Sequence, residues 1–113
     1  MVKYRRRIEI IADILSSAAG GANKKTRIMY AANLSHTLLE KYLAESVSLG
    51  LLRLSRSGYE VTEKGLIFLE KYERFSSRLS RVQKEMEAAM SERRDLEDMC
   101  STPVSSNARV KRR

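Results

Sequence analysis

The sequence predicts a mainly α-helical chain of the α+β class, with one small β-hairpin and a long C-terminal helix. Three observations carry this. Apolar residues recur at helical spacing through most of residues 5–98. A single pair of short apolar runs brackets a glycine-bearing turn between residues 51 and 62. Helix breakers are scarce, with five glycines in the whole chain and one proline, Pro103, near its end.

Each element follows from local signals. Ile8, Ile11, Ile14, Leu15 and Ala18 share one face of a first helix over residues 5–18, which Gly20-Gly21 stops. Asn23 is placed to cap a second helix, roughly 24–32, that buries Ile28, Met29 and Ala32. Asn33-Leu34 makes a tight turn, and Ser35 is a good N-cap for a third helix. That helix buries Leu39, Tyr42, Leu43 and Val47 and ends at Gly50, where glycine accepts the left-handed conformation. The hairpin follows, as Leu51–Ser55, the turn Arg56-Ser57-Gly58, and Tyr59–Thr62. Thr62 then caps a fourth helix that starts at Glu63 and meets no breaker before Ser101, about 36 residues or ~54 Å. The expected division is 1–62 for the first domain, 63–100 for the long helix, and 101–113 for a loose basic tail.

Helix, helix, tight turn, helix, hairpin is the plan of a winged helix-turn-helix. In that plan the third helix enters the DNA major groove front end first while the second crosses the phosphate backbone. The charge agrees with it. Of 113 residues, 22 are Lys or Arg and 14 are Asp or Glu, a formal net charge of +8. The excess is clustered at residues 3–7, at 24–27 and in the last five residues, whereas 66–100 is nearly neutral. Clustered cations imply a polyanionic partner. Lys24, Lys25 and Arg27 are therefore expected on phosphates, and His36 and Thr37, on the first turn after Ser35, at base edges or backbone. Free N–H groups at both helix starts add affinity for anions. Arg5, Arg6, Arg7, Lys41, Arg53 and the turn Arg56-Ser57-Gly58 complete the candidate DNA-binding set. Tyr30 either stacks on a sugar or packs beneath the hairpin.

The long helix carries a second pattern. Phe68, Tyr72, Phe75, Leu79, Val82, Met86, Ala89, Arg93 and Leu96 follow one another in steps of four and three, a coiled-coil seam over about four heptads. Either the helix folds back on its own domain or a second chain covers the seam; the second reading makes the protein a homodimer. A parallel pair would set Arg93 against Arg93 and Ala89 against Ala89. An antiparallel pair sets Leu79 against Val82, Phe75 against Met86, Tyr72 against Ala89 and Phe68 against Arg93. It also places Lys71 and Arg78 opposite Glu92 and Glu85. The antiparallel two-stranded coiled coil is therefore expected.

Other chemistries find no support. One cysteine, Cys100, gives neither a disulfide framework nor a Cys-based zinc site. His36, the single histidine, has no partners for metal binding or nucleophilic catalysis. No enzymatic activity, cofactor, metal or small-molecule substrate is expected. No apolar stretch approaches the ~20 residues that span a bilayer. Glu9 and Asp13 interrupt what would be a signal peptide. An intracellular protein with no membrane partner is expected.

KTRIMYAANLS at residues 25–35, followed by LLEKYLAESVSLGLL and YEVTEKGLIFLEKY, resembles the archaeal winged-helix DNA-binding proteins of the 10a type. The likeness covers about residues 5–98. It implies a small chromatin-associated protein, cytoplasmic and located on the nucleoid, that dimerises through its C-terminal helix. It further implies that Lys25 and Arg27 contact the DNA backbone, that the Ser35 start of the third helix enters the groove, and that Arg56-Ser57-Gly58 is the wing tip. Two residues depart from the pattern. Ser46 stands where a large apolar core residue is usual, with Val47 beside it to compensate, and Glu40 puts an anion on the helix that faces DNA. The competing functional class is a protein-interaction module in which the long helix is the working part; RNA binding is a third reading that charge alone allows.

Overall fold

The computed structural model describes residues 5–104. The elements run α1 (Arg7–Ala19), α2 (Lys25–Ala32), α3 (His36–Ser48), β1 (Leu52–Ser55), β2 (Gly58–Val61) and α4 (Glu63–Ser101). The order is the one expected; of the tail expected at 101–113, Ser101 closes α4 and residues 105–113 lie outside the described residues.

The first three helices end in the same way. After α1, Gly21 N–H donates to Ala18 O and Ala22 N–H to Ser17 O. After α2, Asn33 N–H donates to Tyr30 O and Leu34 N–H to Met29 O; after α3, Gly50 N–H donates to Val47 O and Leu51 N–H to Ser46 O. Each is the crossed pair of bonds that satisfies the last carbonyls of a helix and turns the chain back. Asn33 adopts φ 55°, ψ 56°, the left-handed region that asparagine tolerates better than other side chains. This closes the α2–α3 turn and drops Leu34 into the core.

The core lies between α1, α2, α3 and the start of the hairpin. It is built from Ile10, Ile11, Ile14, Leu15, Ile28, Leu34, Leu39, Leu43, Leu51 and Leu52, with Met29, Tyr42, Tyr59, Val61, Phe68 and Leu69 packed on its margin. Two expectations are corrected here. Ile8 is 42% exposed, because it sits in the first turn of α1, beyond the cover of the other elements; Ile10 and Ala12 are buried instead. On α3 the inward position is Ser46, fully buried, while Val47 is 38% exposed. The two residues are about 100° apart around the helix. The Ser46 hydroxyl is satisfied within its own helix, donating to Tyr42 O at 2.8 Å, so its burial leaves no polar atom unpaired.

β1 and β2 pair antiparallel with Leu52 opposite Val61 and Arg53 opposite Glu60. Thr62 caps α4, accepting from Gly65 N–H at 3.0 Å, and its own hydroxyl donates to Gly50 O. Lys64 Nζ donates to Leu49 O at 2.7 Å. The start of α4 is thus fastened to the end of α3. Gly65 is buried in this corner, where a Cβ would lie 2.3 Å from Leu51 O. The first three turns of α4 consequently belong to the winged unit. The chain divides into compact units after Phe75, later than the boundary expected at 62, because Gly65, Phe68 and Leu69 pack inward.

Candidate nucleic-acid interface

The α2–α3 pair and the wing present the expected candidates, and the structure sorts them into two groups. In the first, the cation is engaged by the protein itself. Arg5 donates to Asp13 Oδ2 at 2.6 Å and to the carbonyls of Ala32 and Asn33, both at 2.8 Å. It ties α1 to the helix-turn-helix corner. Arg7 pairs with Glu45 of α3 through Nε at 2.8 Å and through Nη2. Lys25 Nζ lies 2.8 Å from Glu40 Oε2, and Arg53 Nη2 lies 2.7 Å from Glu60 Oε1.

The electrostatics record this engagement. The hydrogen bond and charge of Glu45 raise the Arg7 pKa, and those of Glu40 raise that of Lys25. In return Lys25 holds the Glu40 carboxyl below its ordinary range. Glu60 is held down by Arg53 and then by the Ser55 hydroxyl, which donates to it at 3.1 Å.

The second group comprises Lys24, Arg27, Lys41 and Arg56. All four are exposed, and none makes an ion pair among the described residues. Lys24 is the N-cap of α2 and offers no side-chain cap, so the first-turn N–H groups there remain open to an anion. At α3 the expectation of free N–H groups is corrected in part, since Ser35 Oγ accepts from Leu38 N–H at 3.2 Å. Lys41 Nζ stands 5.1 Å from the Tyr42 ring centroid. With Leu39, Leu43 and Ser46 inward, helical period places Thr37 and Lys41 on the opposite, outermost face of α3. His36 is exposed on the α2 side, its Nε2 3.4 Å from Glu40 Oε2. Arg6 is exposed at the start of α1, where its N–H donates to Glu9 Oε1 at 3.1 Å.

Tyr30 is 75% exposed, so it does not pack beneath the hairpin. It lines an open depression with Arg27, Ala31 and the Gly20–Ala22 turn. The wing turn is Arg56-Ser57 alone. Gly58 is buried at φ 128°, and a Cβ there would lie 2.3 Å from Asn23 O, so this glycine permits a close approach and presents no surface.

Asn23 is the residue that the sequence reading misassigned. It does not cap α2. Its Nδ2 donates to Ser57 O at 2.9 Å and its carbonyl accepts from Tyr59 N–H at 2.8 Å. It therefore pins the wing to the connection that leads into Lys24 and Lys25. The engagement of Arg5, Arg7 and Lys25 was also missed; the acids at 13, 40 and 45 were the available signal, but nothing local says which cation each one meets.

On α4, Phe68 is half-buried against the winged core and stacks with Tyr72 at 6.5 Å between centroids. It is thus partly used within its own chain. Phe75, Leu79, Val82, Met86 and Leu96 are exposed, as are Met90 and Met99, which the expected seam did not include. Arg93 pairs with Glu97 one turn on, at 3.3 Å. Among the described residues no helix is long and apolar enough to cross a membrane, and no group of three or more His, Cys, Asp or Glu residues could hold a metal ion.

Comparison with known proteins adds three likenesses and a family. The model of the winged helix-turn-helix family matches residues 4–80. The crystal structure of Sso10a-2, a DNA-binding protein from Sulfolobus solfataricus, superposes with a TM-score of 0.59 at 26% identity, covering 81% of this chain and 96% of that one. Two uncharacterized proteins of Methanocaldococcus jannaschii are similar in sequence. MJ0287 is 39% identical over 56% of this chain, and MJ0290 is 38% identical over 61% of it. The matched segments span 66% and 33% of those two relatives.

Proposed function

The chain belongs to the winged helix-turn-helix family and is of the archaeal 10a type, and from that premise we propose that it is a non-enzymatic, homodimeric protein that binds double-stranded DNA, mainly through phosphates. The observation that carries the reading is the second group of cations. Lys24 at the N-cap of α2, Arg27 on α2, Lys41 on α3 and Arg56 on the wing turn are exposed basic side chains that make no ion pair among the described residues. The other candidates in this region are held by Asp13, Glu40, Glu45 and Glu60. The outermost face of α3 carries Thr37, Lys41, Ala44 and Ser48, so Lys41 is its one long side chain able to reach a base edge, with no arginine, asparagine or glutamine beside it. An architectural, chromatin-type role therefore fits better than reading of an operator.

Binding to duplexes of several sequences, titrated with salt, tests this. With about six phosphates neutralised across a dimer, log K against log salt should slope at about −5. Arg27→Ala should weaken binding to every duplex alike, since a phosphate contact carries no base information. No binding at low salt would favour the protein-interaction reading, and a loss confined to one sequence would make Arg27 a base reader.

The dimer is proposed to form through the exposed apolar face of α4, paired antiparallel. Cys100 offers a direct check with the natural chain, since it is exposed. In the antiparallel pairing the two Cys100 residues stand about 39 residues, or ~58 Å, apart along the coil. A short bismaleimide should leave the chains uncoupled. Efficient coupling at Cys100 would establish a parallel pair and overturn the assigned layers.

A further inference from the structure

Lys25 and Glu40 meet across the α2–α3 corner, Nζ to Oε2 at 2.8 Å, each side chain 45% exposed. His36 Nε2 approaches the same oxygen at 3.4 Å. The carboxylate is thus an anion beside the first residue of α2, next to Lys24 and the uncapped first turn. That is the place where a helix start attracts a phosphate oxygen. Helical period sets Glu40 about 100° from the inward Leu39, and its bond to Lys25 puts it on the flank towards α2, away from the Thr37–Lys41 face.

We propose that Glu40 tunes the affinity of the DNA surface: its carboxylate stands in for a backbone phosphate on Lys25 and so removes one sequence-independent contact from each protomer. The inference rests on the DNA-binding reading above. A cation that leaves a carboxylate for a phosphate exchanges one anion for another, whereas an unpaired cation gains an anion and releases a counterion from the duplex. The pairing therefore lowers affinity for every sequence equally. It leaves a larger share of the remaining affinity to shape and groove contacts.

The test is a double-mutant cycle on the full chain, with wild type, Lys25→Gln, Glu40→Gln and the double variant, titrated with salt on a mixed-sequence duplex. Thermal melts establish that each variant is folded. Glu40→Gln should bind about eight-fold tighter per engaged protomer at 0.1 M salt and steepen the salt slope by about 0.9 per protomer. Lys25→Gln should lower the salt slope by about 0.9 per protomer in the Glu40→Gln background and leave it near the wild-type value when Glu40 is present. The double variant should fall back to near the wild-type slope. If Glu40→Gln steepens the salt slope equally with and without Lys25, the effect is bulk charge and the surrogate role is wrong. If Glu40→Gln leaves slope and affinity unchanged while Arg27→Ala weakens binding, the inference falls and the DNA-binding reading stands. If neither wild type nor any variant binds a duplex at low salt, both fall.

Discussion

Leu79→Glu should convert the proposed dimer to a monomer. Leu79 is exposed on α4, beyond the compact unit that ends at Phe75. In the antiparallel pairing it meets Val82 of the other chain near the two-fold axis. Two carboxylates would then be buried without partners within a few ångströms of each other. Desolvation and like-charge repulsion together cost on the order of 3–5 kcal/mol. Sedimentation should give the monomer mass, while the melting of the winged unit persists, because the core from Ile10 to Leu52 does not involve residue 79. Two coupled domains gain avidity of roughly 10²–10⁴ over one, so DNA affinity should fall by at least about a hundred-fold. A Leu79→Glu protein that still sediments as a dimer would remove the α4 seam from the assembly. A monomer with undiminished affinity would mean that dimerisation plays no part in binding.

Gly65→Ala should destabilise the winged unit, although helix propensity taken alone predicts the reverse. Inside a helix, alanine is favoured over glycine by about 1 kcal/mol. Here the added Cβ would lie 2.3 Å from Leu51 O and 2.7 Å from Val61 Cγ1. The obstacle is backbone that Thr62 N–H and the Thr62 hydroxyl already fix against Leu51 and Gly50. Relief requires α4 to shift away from the hairpin, opening the contact of Phe68 and Leu69 with the core. Overpacking of this kind costs about 1–3 kcal/mol or more. A net loss of about 2 kcal/mol would lower the melting temperature of a unit this size by roughly 10 °C. An unchanged or higher melting temperature would show that the corner is loose enough to accept a methyl group.

Gly65 marks the boundary between what local chemistry specifies and what packing decides. In the sequence it is one glycine in a helical run, with nothing to distinguish it from a weak point. Its necessity appears only once Leu51, which lies fourteen residues earlier in the sequence, is folded over it. Ser46 and Val47 teach the same lesson. Periodicity allows either to face inward, and the choice is a rotation of about 100°. The close fit of α3 on the core selects the small residue, because its hydroxyl can be satisfied by Tyr42 O without leaving the helix.

The sequence by itself determined the elements, their order and most of their ends. Helix periodicity, Ser35 and Thr62 as caps, and Gly21, Asn33 and Gly50 as stops all act within a few residues, so the chain carries them in readable form. It likewise determined the apolar face of α4 and the family to which these signals belong. Only the tertiary structure decided which cations remain available. Lys25 lies 15 residues from Glu40 and Arg7 lies 38 from Glu45. Asn23 lies 34 from the Ser57 carbonyl that it binds. Such pairs depend on how α1, α2, α3 and the wing come together in space, and charge acts through space without regard to order along the chain.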